Sequence, residues 1–219
     1  MLVPLTRKKF EDLIPLISTG AQYLYCWGKL PDFLRRLLIS VIGVVLIWFL
    51  GNFLGDSLQL LFGLVAGLYW LWAPVLWASR RNAEYRRYKY SGFWQGQVLD
   101  VFISEELIGK EETVNQRGDL VIIENRERRL NLEVGDESGF SIRVQVPLRR
   151  NYQLIRPADV AEMLVLSNQA DLSRIAKVSD VYIPTHNLWV SDYPYLQRDV
   201  FEQVSRALRF RRKPTSRVD

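Results

Sequence analysis

The sequences LLISVIGVVLIWFLGNFL (residues 37–54) and LQLLFGLVAGLYWLWAPVLWA (residues 58–78) decide the predicted fold, because neither contains a charged residue. Only Gly55-Asp56-Ser57 separates them. At a helical rise of about 1.5 Å per residue, the runs span roughly 27 Å and 31 Å, close to a hydrocarbon core of about 30 Å. They predict a two-helix transmembrane hairpin over residues 37–78. The alternative is a buried helical hairpin in a soluble protein.

Basic residues flank both outer ends of these runs, and the connecting turn has none. The flanking residues are Arg35, Arg36, Arg80, Arg81, Arg86, Arg87 and Lys89. Because Lys and Arg concentrate on the cytoplasmic side of membrane helices, the pattern predicts an integral membrane protein with both termini on that side. Residues 79–90 are then a basic juxtamembrane linker.

The first 36 residues have an apolar helical face and several aromatic residues. Phe10, Leu13, Ile14 and Ile17 recur at helical spacing, opposite charged residues. This pattern is typical of an interfacial amphipathic segment lying on a membrane. Packing against the rest of the chain explains it equally well, and both interpretations stay open.

Residues 91–192 change to an alternation of period two. Leu130, Leu132 and Val134 alternate with polar residues, as do Phe140, Ile142, Val144 and Val146. Turn-forming pairs such as Gly135-Asp136 separate such segments, and Tyr152 to Ile155 suggests a further strand. Several short strands without intervening helices predict a small antiparallel β-barrel or sandwich, SH3-like or OB-like, on the cytoplasmic side. The predicted fold class is an α+β membrane protein.

The C-terminal region, residues 193–210, predicts an amphipathic helix. Its apolar stripe of Leu196, Val200, Phe201 and Val204 is a candidate interface with a partner. The alternative is that the stripe closes the core of the β-domain. Residues 211–219 form a polar tail.

Residues that would support catalysis or metal binding are few. His186 is the single histidine and Cys26 the single cysteine, so no metal-binding pair or disulfide is predicted. Glu105, Glu106, Glu111 and Glu112 indicate a solvated acidic edge. The sequence lacks a phosphate-binding P-loop. We therefore predict no catalytic residue, no cofactor and no metal.

The net charge of +5 lies largely beside the apolar runs and near the C-terminus. Such a distribution favours contact with anionic lipid over nucleic acid. The predicted partners are a lipid bilayer and a larger membrane protein complex, with no nucleic acid, and the oligomeric state is left open.

The stretches WAPVLWASRRNAEYRRYKYSGFWQGQVLD (residues 72–100) and NLWVSDYPYLQRDVF (residues 187–201) resemble a family of small cyanobacterial membrane proteins. Members are sometimes labelled phosphate transport permeases. The resemblance implies a thylakoid or plasma membrane location in a photosynthetic host and no catalytic residues. Permeases of that class resemble bundles of about six crossings, whereas two are predicted here.

Together these patterns predict a non-enzymatic, membrane-anchored interaction or assembly protein whose β-domain contacts a membrane complex, in keeping with a photosynthetic host. The alternative is an accessory subunit of a membrane transporter of the ABC permease type. An enzyme ranks third, since its chemistry would depend on His186 and scattered carboxylates.

Overall fold

The computed structural model describes residues 1–114 and 120–212, and the chain divides into two compact units. The first unit comprises residues 1–7, 89–192 and 205–219, and the second comprises residues 8–88 and 193–204. The first unit is built on a β-sheet and the second on helices. Each is described by itself.

The second unit contains six helices that follow the first strand of the chain. They are α1 Arg7–Leu13, α2 Gly20–Trp27, α3 Leu30–Phe49, α4 Gly51–Leu54, α5 Asp56–Gly67 and α6 Tyr69–Arg86. A reciprocal capping box starts α2, in which the Thr19 hydroxyl accepts from the Gln22 backbone and the Gln22 side chain accepts from the Thr19 backbone. Such a box satisfies two of the otherwise unpaired N–H groups at a helix start.

The helices do not coincide with the two charge-free runs. Helix α3 begins at Leu30, with Pro31 in its first turn, so it contains Asp32, Arg35 and Arg36 before the apolar run starts. It ends at Phe49, and the short α4 takes the rest of that run. The second run is divided between α5 and α6, and α6 continues into the basic residues up to Arg86.

The break between α5 and α6 has an identifiable cause. The backbone N–H of Trp70 donates to the buried Ser40 hydroxyl at 3.1 Å, and the helices are bent by 68°. Helices kink where a side chain enters the hydrogen-bond ladder. Ser40, a polar residue of the first run, therefore helps to divide the second.

Across the described residues, no single helix has both the length and the apolar composition needed to cross a membrane. The bent pair α5–α6 meets these criteria only when its two helices are taken together. The prediction of a two-helix transmembrane hairpin over residues 37–78 is therefore wrong. The predicted placement as an integral protein of a thylakoid or plasma membrane, with both termini on the cytoplasmic side, is wrong for the same reason.

The first unit contains one antiparallel sheet with the strand order β4-β3-β2-β5-β6-β7, and β1 pairs with β2 beside this path. The strands are β1 Leu2–Leu5, β2 Tyr90–Val114, β3 Leu120–Gly135, β4 Ser141–Pro147, β5 Val160–Ser167, β6 Lys177–Ile183 and β7 Leu188–Val190. The alternations at Leu130–Val134 and Phe140–Val146 correctly predict β3 and β4. The extra strand β1 was not predicted.

Six strands contribute side chains to one hydrophobic core. Trp94 and Val98 come from β2, Leu132 from β3, Met163 from β5 and Val181 from β6, and all are buried. Alternation places every second residue of these strands on the same face of the sheet. The core therefore explains why the period-two pattern correctly predicted β3 and β4.

The segment around Tyr152 was predicted as a strand and is a 3-10 helix, Arg150–Leu154. The buried Tyr152 hydroxyl donates to the Trp189 carbonyl at 3.2 Å. The prediction of a strand from Tyr152 to Ile155 is therefore wrong.

The last helix, α7 Arg198–Arg212, starts a few residues after the predicted helix and contributes to both units. In the first unit, Arg209 pairs with the fully buried Glu162 of β5, at 3.1 Å between Nε and Oε1 and 3.3 Å between Nη2 and Oε2. Gln95 also donates to Glu162 at 3.1 Å. This paired, hydrogen-bonded carboxylate attaches the end of α7 to the sheet.

Candidate interaction surface

Helices α3 and α5 expose large apolar side chains along most of their length. We call this set the apolar helical surface. It comprises Leu37, Leu38, Ile39, Val41, Ile42, Val44, Val45, Leu46, Trp48 and Phe49 of α3, Leu50 and Phe53 after it, and Leu58, Leu60, Leu61, Phe62, Leu64 and Val65 of α5. Phe53 is 89% exposed and Leu60 73% exposed. Contiguous apolar surface on this scale marks an interaction site rather than an ordinary protein exterior.

Small residues bring α3 and α5 together. A Cβ added to Gly43 would lie 3.1 Å from the Ala66 Cβ, and one added to Gly67 would lie 3.4 Å from Val44 Cγ2. A Cβ added to Gly63, by contrast, would meet no described atom within 4 Å. Gly43 and Gly67 therefore serve the packing of the two helices, while Gly63 of the GxxxG pair lies at an open position.

An aromatic cluster packs the N-terminal part of α3 against α2 and α6. Trp27 stacks on Phe33 with ring centroids 5.7 Å apart, and Trp70 meets both rings edge-on at 6.0 Å and 5.8 Å. Arg36 lies 5.2 Å from the Trp27 centroid, a cation–π distance. Trp70 is thus part of the helical packing.

Two of the predicted membrane-flanking basic residues serve the fold of the second unit. Arg36 is buried and donates to the carbonyls of Cys26, at 2.8 Å, and Trp27. Arg86 donates to the Ile14 carbonyl at 2.7 Å and pairs with Glu11 at 3.4 Å. Arg36 thus satisfies backbone carbonyls at the end of α2, and Arg86 satisfies one just after α1.

The other flanking cations lie at the surface or on aromatic rings. Arg35, Arg87 and Lys89 are exposed. Arg80 lies over Trp77 at 5.6 Å, and Arg81 lies over Tyr193 at 4.9 Å. The seven residues are therefore not brought together into one basic site.

A buried amide pair connects three segments of the second unit. Gln22 donates to the Asn82 side chain at 3.1 Å, and Asn82 donates back to Gln22 at 2.8 Å. Gln22 also donates to the carbonyl of Pro194 at 2.9 Å. Because buried polar groups are costly unless paired, this network specifies the arrangement of α2, α6 and residues 193–195.

Cys26 and His186 are the two residues considered for chemistry, and each lies beside a charged side chain. Burial raises the pKa of the Cys26 thiol, against the opposing effect of the nearby Arg81 and Arg36. A raised pKa disfavours the reactive thiolate. His186 Nε2 lies 3.1 Å from Asp159 Oδ2 in the first unit. No group of three or more metal-ligating side chains occurs among the described residues.

Most of the candidate interface stripe in residues 196–204 is buried, and its first member, Leu196, lies before α7. Leu196, Phe201 and Val204 are buried, and Val200 is half-buried. This burial favours the alternative that the stripe packs within the protein. Its contact with a partner stays a prediction.

The acidic residues of β2 lie on strand structure that the sequence did not predict. Glu105, Glu106, Glu111 and Glu112 fall within Tyr90–Val114, and Glu105 and Glu106 are exposed. The alternation Val101, Ile103, Leu107 was the available signal. The charged residues between these positions concealed it.

The class that these features define is an α+β chain with an extensive exposed apolar helical surface. The chain belongs to a family of unknown function, DUF8619, whose model matches residues 3–213. No curated protein and no solved structure matches it significantly. The resemblance to cyanobacterial membrane proteins stays a prediction.

Proposed function

We propose that the chain is a non-enzymatic interaction or assembly protein, and that its apolar helical surface is covered by an apolar helix of a partner in a larger protein complex. The observation that carries the proposal is the exposure of α3 and α5, from Leu37 to Val65. Fully burying one Leu, Ile, Val or Phe side chain stabilises by about 1.5–3 kcal/mol. A partner that covers even a few of these side chains gains substantial affinity.

The shape of the surface supports a helix as the occupant. Gly63 of α5 has open space beside it, whereas Leu60 and Leu64 project around it and are largely exposed. The distance between packed helices depends on the side chains at their contact, so a glycine permits close approach. A partner helix crossing at Gly63 would place its own side chains between these leucines.

Aromatic residues provide candidate anchors for the same contact. Trp48, Phe49 and Phe53 are mostly exposed near the end of α3. Aromatic side chains dominate the energetics of many protein interfaces, because each buries a large rigid area. We assign the largest share of the binding energy to these aromatic residues, while Gly63 determines how closely the partner helix approaches.

Substituting Gly63 tests the proposal without breaking the fold. Gly63→Leu fills open space and replaces a helix-interior glycine, so the free energy of unfolding should be unchanged or increase by up to about 1 kcal/mol. The same substitution should block the close approach of a partner helix. Gly20→Leu is the matched control, because Gly20 also faces open space but lies on α2.

The measurement is the recovery of associated proteins with the tagged full-length chain from native host cells, together with its unfolding temperature. We expect Gly63→Leu to lose its associated proteins by about tenfold, which corresponds to about 1.4 kcal/mol, while Gly20→Leu retains them. Equal recovery with both variants contradicts the proposal. So does a chain that copurifies with lipid and no protein.

A further inference from the structure

Strands β2 and β3 continue well beyond the other strands of their sheet. Strand β5 pairs with β2 only over Tyr90–Gln97, and β4 pairs with β3 only over Arg129–Gly135. Residues 100–104 of β2 pair with residues 129–133 of β3, which β4 also joins, and residues 105–114 of β2 pair with residues 120–128 of β3 beyond the end of β4. We call residues 99–114 and 120–128 the β-ribbon. It lies in the first unit and is independent of the apolar helical surface.

The outer edge of β2 is occupied at Val98 and, among residues 1–114 and 120–212, has no paired strand beyond it. Val98 donates to the Asp159 carbonyl at 2.9 Å and accepts from the Ala158 N–H at 2.8 Å, which continues the edge that β5 occupies. Past Val98, exposed apolar residues follow, including Phe102, Ile103 and Leu107. An open edge presents backbone donors and acceptors to another strand.

A two-stranded ribbon is marginally stable by itself in water. Two register shifts, one at Val98/Asp100 and one at Leu107/Gly109, divide β2 into shorter regular segments. The segment between them, Asp100–Leu107, is a regular edge of the length that one added strand covers. Its side chains alternate, so Ile103, Glu105 and Leu107 share one face.

The charge along this edge specifies the occupant. Residues 99–114 contain five carboxylates, namely Asp100, Glu105, Glu106, Glu111 and Glu112, against the single Lys110. Glu106 is paired with Arg129 of β3 at 2.9 Å. The directly opposed residue of an added strand would lie beside Glu105, where opposite charges stabilise a cross-strand pair.

We propose that the outer edge of β2 over Asp100–Leu107 binds an extended basic segment of a partner protein as an added antiparallel strand. On the face that meets Ile103, Glu105 and Leu107, the segment carries an apolar, a basic and an apolar residue in alternation. Backbone hydrogen bonds give the affinity and the alternating side chains give the specificity, as in other cases of strand addition. The chain thus has a second interaction surface, for a partner of different chemistry.

The test uses the purified full-length chain and a labelled eight-residue threonine peptide whose third, fifth and seventh residues are valine, arginine and valine, so that these three share one face. We expect it to bind about tenfold more tightly than the same peptide with glutamate in place of the arginine, by fluorescence anisotropy. Asp100→Asn with Glu105→Gln, both within the proposed edge, should weaken binding by about tenfold. Glu127→Gln with Glu137→Gln removes the same charge from β3 and the following turn and should leave binding unchanged.

Hydrogen exchange distinguishes strand addition from simple charge attraction. We expect the bound arginine peptide to slow amide exchange within residues 100–107 and not within 120–128. Three results overturn the proposal: no binding of the arginine peptide, equal weakening by the two double variants, or protection confined to the β3 edge. None of these results bears on the apolar helical surface, which the Gly63 variant tests separately.

Discussion

The sheet of the first unit and helices α3 and α5 of the second contain the same kinds of apolar residue but treat them differently. Leu132 and Val134 of β3 are fully buried, whereas Leu46 of α3 is 57% exposed. In β3 and β4, apolar residues alternate with polar ones and lie on the face towards the core, whereas most residues of β5, β6 and β7 are buried. In α3 and α5 apolar residues occupy most positions, so one helix cannot cover the other on all sides. The sheet buries its apolar residues in a core, and α3 and α5 leave many of theirs exposed.

A matched pair of leucine truncations gives the largest expected difference between the two regions. Leu132→Ala should lower the free energy of unfolding by about 3 to 4 kcal/mol, because it leaves a cavity in a packed core. Leu46→Ala should change it by no more than about 0.5 kcal/mol, because the side chain is largely exposed in the isolated chain. Urea unfolding of both variants measures the difference. Equal losses would mean that α3 is packed as tightly as the sheet.

The buried ion pair of the first unit should be nearly as sensitive as its core. Arg209→Ala leaves the Glu162 carboxylate buried with only Gln95 as a described side-chain partner, which should cost about 3 kcal/mol. The double variant Glu162→Gln with Arg209→Ala should recover part of that loss, since it removes the uncompensated charge. If the double variant is no more stable than Arg209→Ala, the pair does not act as described.

In the second unit, polar contacts rather than apolar packing should determine stability near α2. Asn82→Ala removes both hydrogen bonds of the buried amide pair with Gln22 and should cost about 2 kcal/mol. Asn168→Ala, at an exposed position, is the control and should have an effect within about 0.5 kcal/mol. Thermal unfolding of the two variants provides the comparison. If Asn82→Ala leaves the unfolding temperature unchanged, the amide pair does not stabilise this unit.

The smallest expected effect concerns Asp136 in the turn after β3. Although partial burial opposes ionisation, hydrogen bonds from Ser138 and from the Trp94 indole, at 2.7 Å, hold the pKa of Asp136 below its usual value. A lowered pKa in the folded state contributes stability above the pKa of the unfolded chain, and this is lost as the pH falls through the folded value.

Urea midpoints measured between about pH 6 and pH 2 test this sign. The stability advantage of the wild-type chain over Asp136→Asn should be largest at the upper end of this range and should shrink as the pH falls. The asparagine still offers an oxygen to Trp94, so the variant isolates the charge. A difference that is constant with pH would show that the charge of Asp136 is not involved.

The sequence predicted the sheet better than the helices for a physical reason. At Leu130, Leu132 and Val134, a side chain on alternate positions has a buried face, and that face determines both the strand and its register. The two charge-free runs, by contrast, each predict one continuous helix with the same limits as the run. The limits of a helix depend on its caps and breaks, which hydropathy does not show. Pro31 lies in the first turn of α3, and the Ser40 hydroxyl accepts a hydrogen bond at the break between α5 and α6.

The candidate surfaces were predictable to different extents. The sequence shows that residues 37–68 are mostly apolar. Only the structure shows that these side chains are exposed on two packed helices. Within the β-ribbon, residues 105–112 were predicted as a solvated acidic edge and not as a strand, because Glu105 and Lys110 interrupt the apolar alternation that identifies strands. In the C-terminal region, the spacing of Leu196, Val200, Phe201 and Val204 identified an apolar stripe, while only the structure showed that three of the four are buried.

The most direct test of the central claim is photo-cross-linking at the apolar helical surface in native host cells. A benzophenone amino acid placed at Leu60, which is 73% exposed, should form a protein adduct identifiable by mass spectrometry. The same amino acid at Leu16 of the second unit, which is exposed outside α3 and α5, should not give that adduct. A protein adduct at Leu60 that disappears in the Gly63→Leu background is the result predicted here. Adducts with lipid alone at Leu60, or the same protein adduct at both positions, would contradict the claim that a partner helix covers this surface.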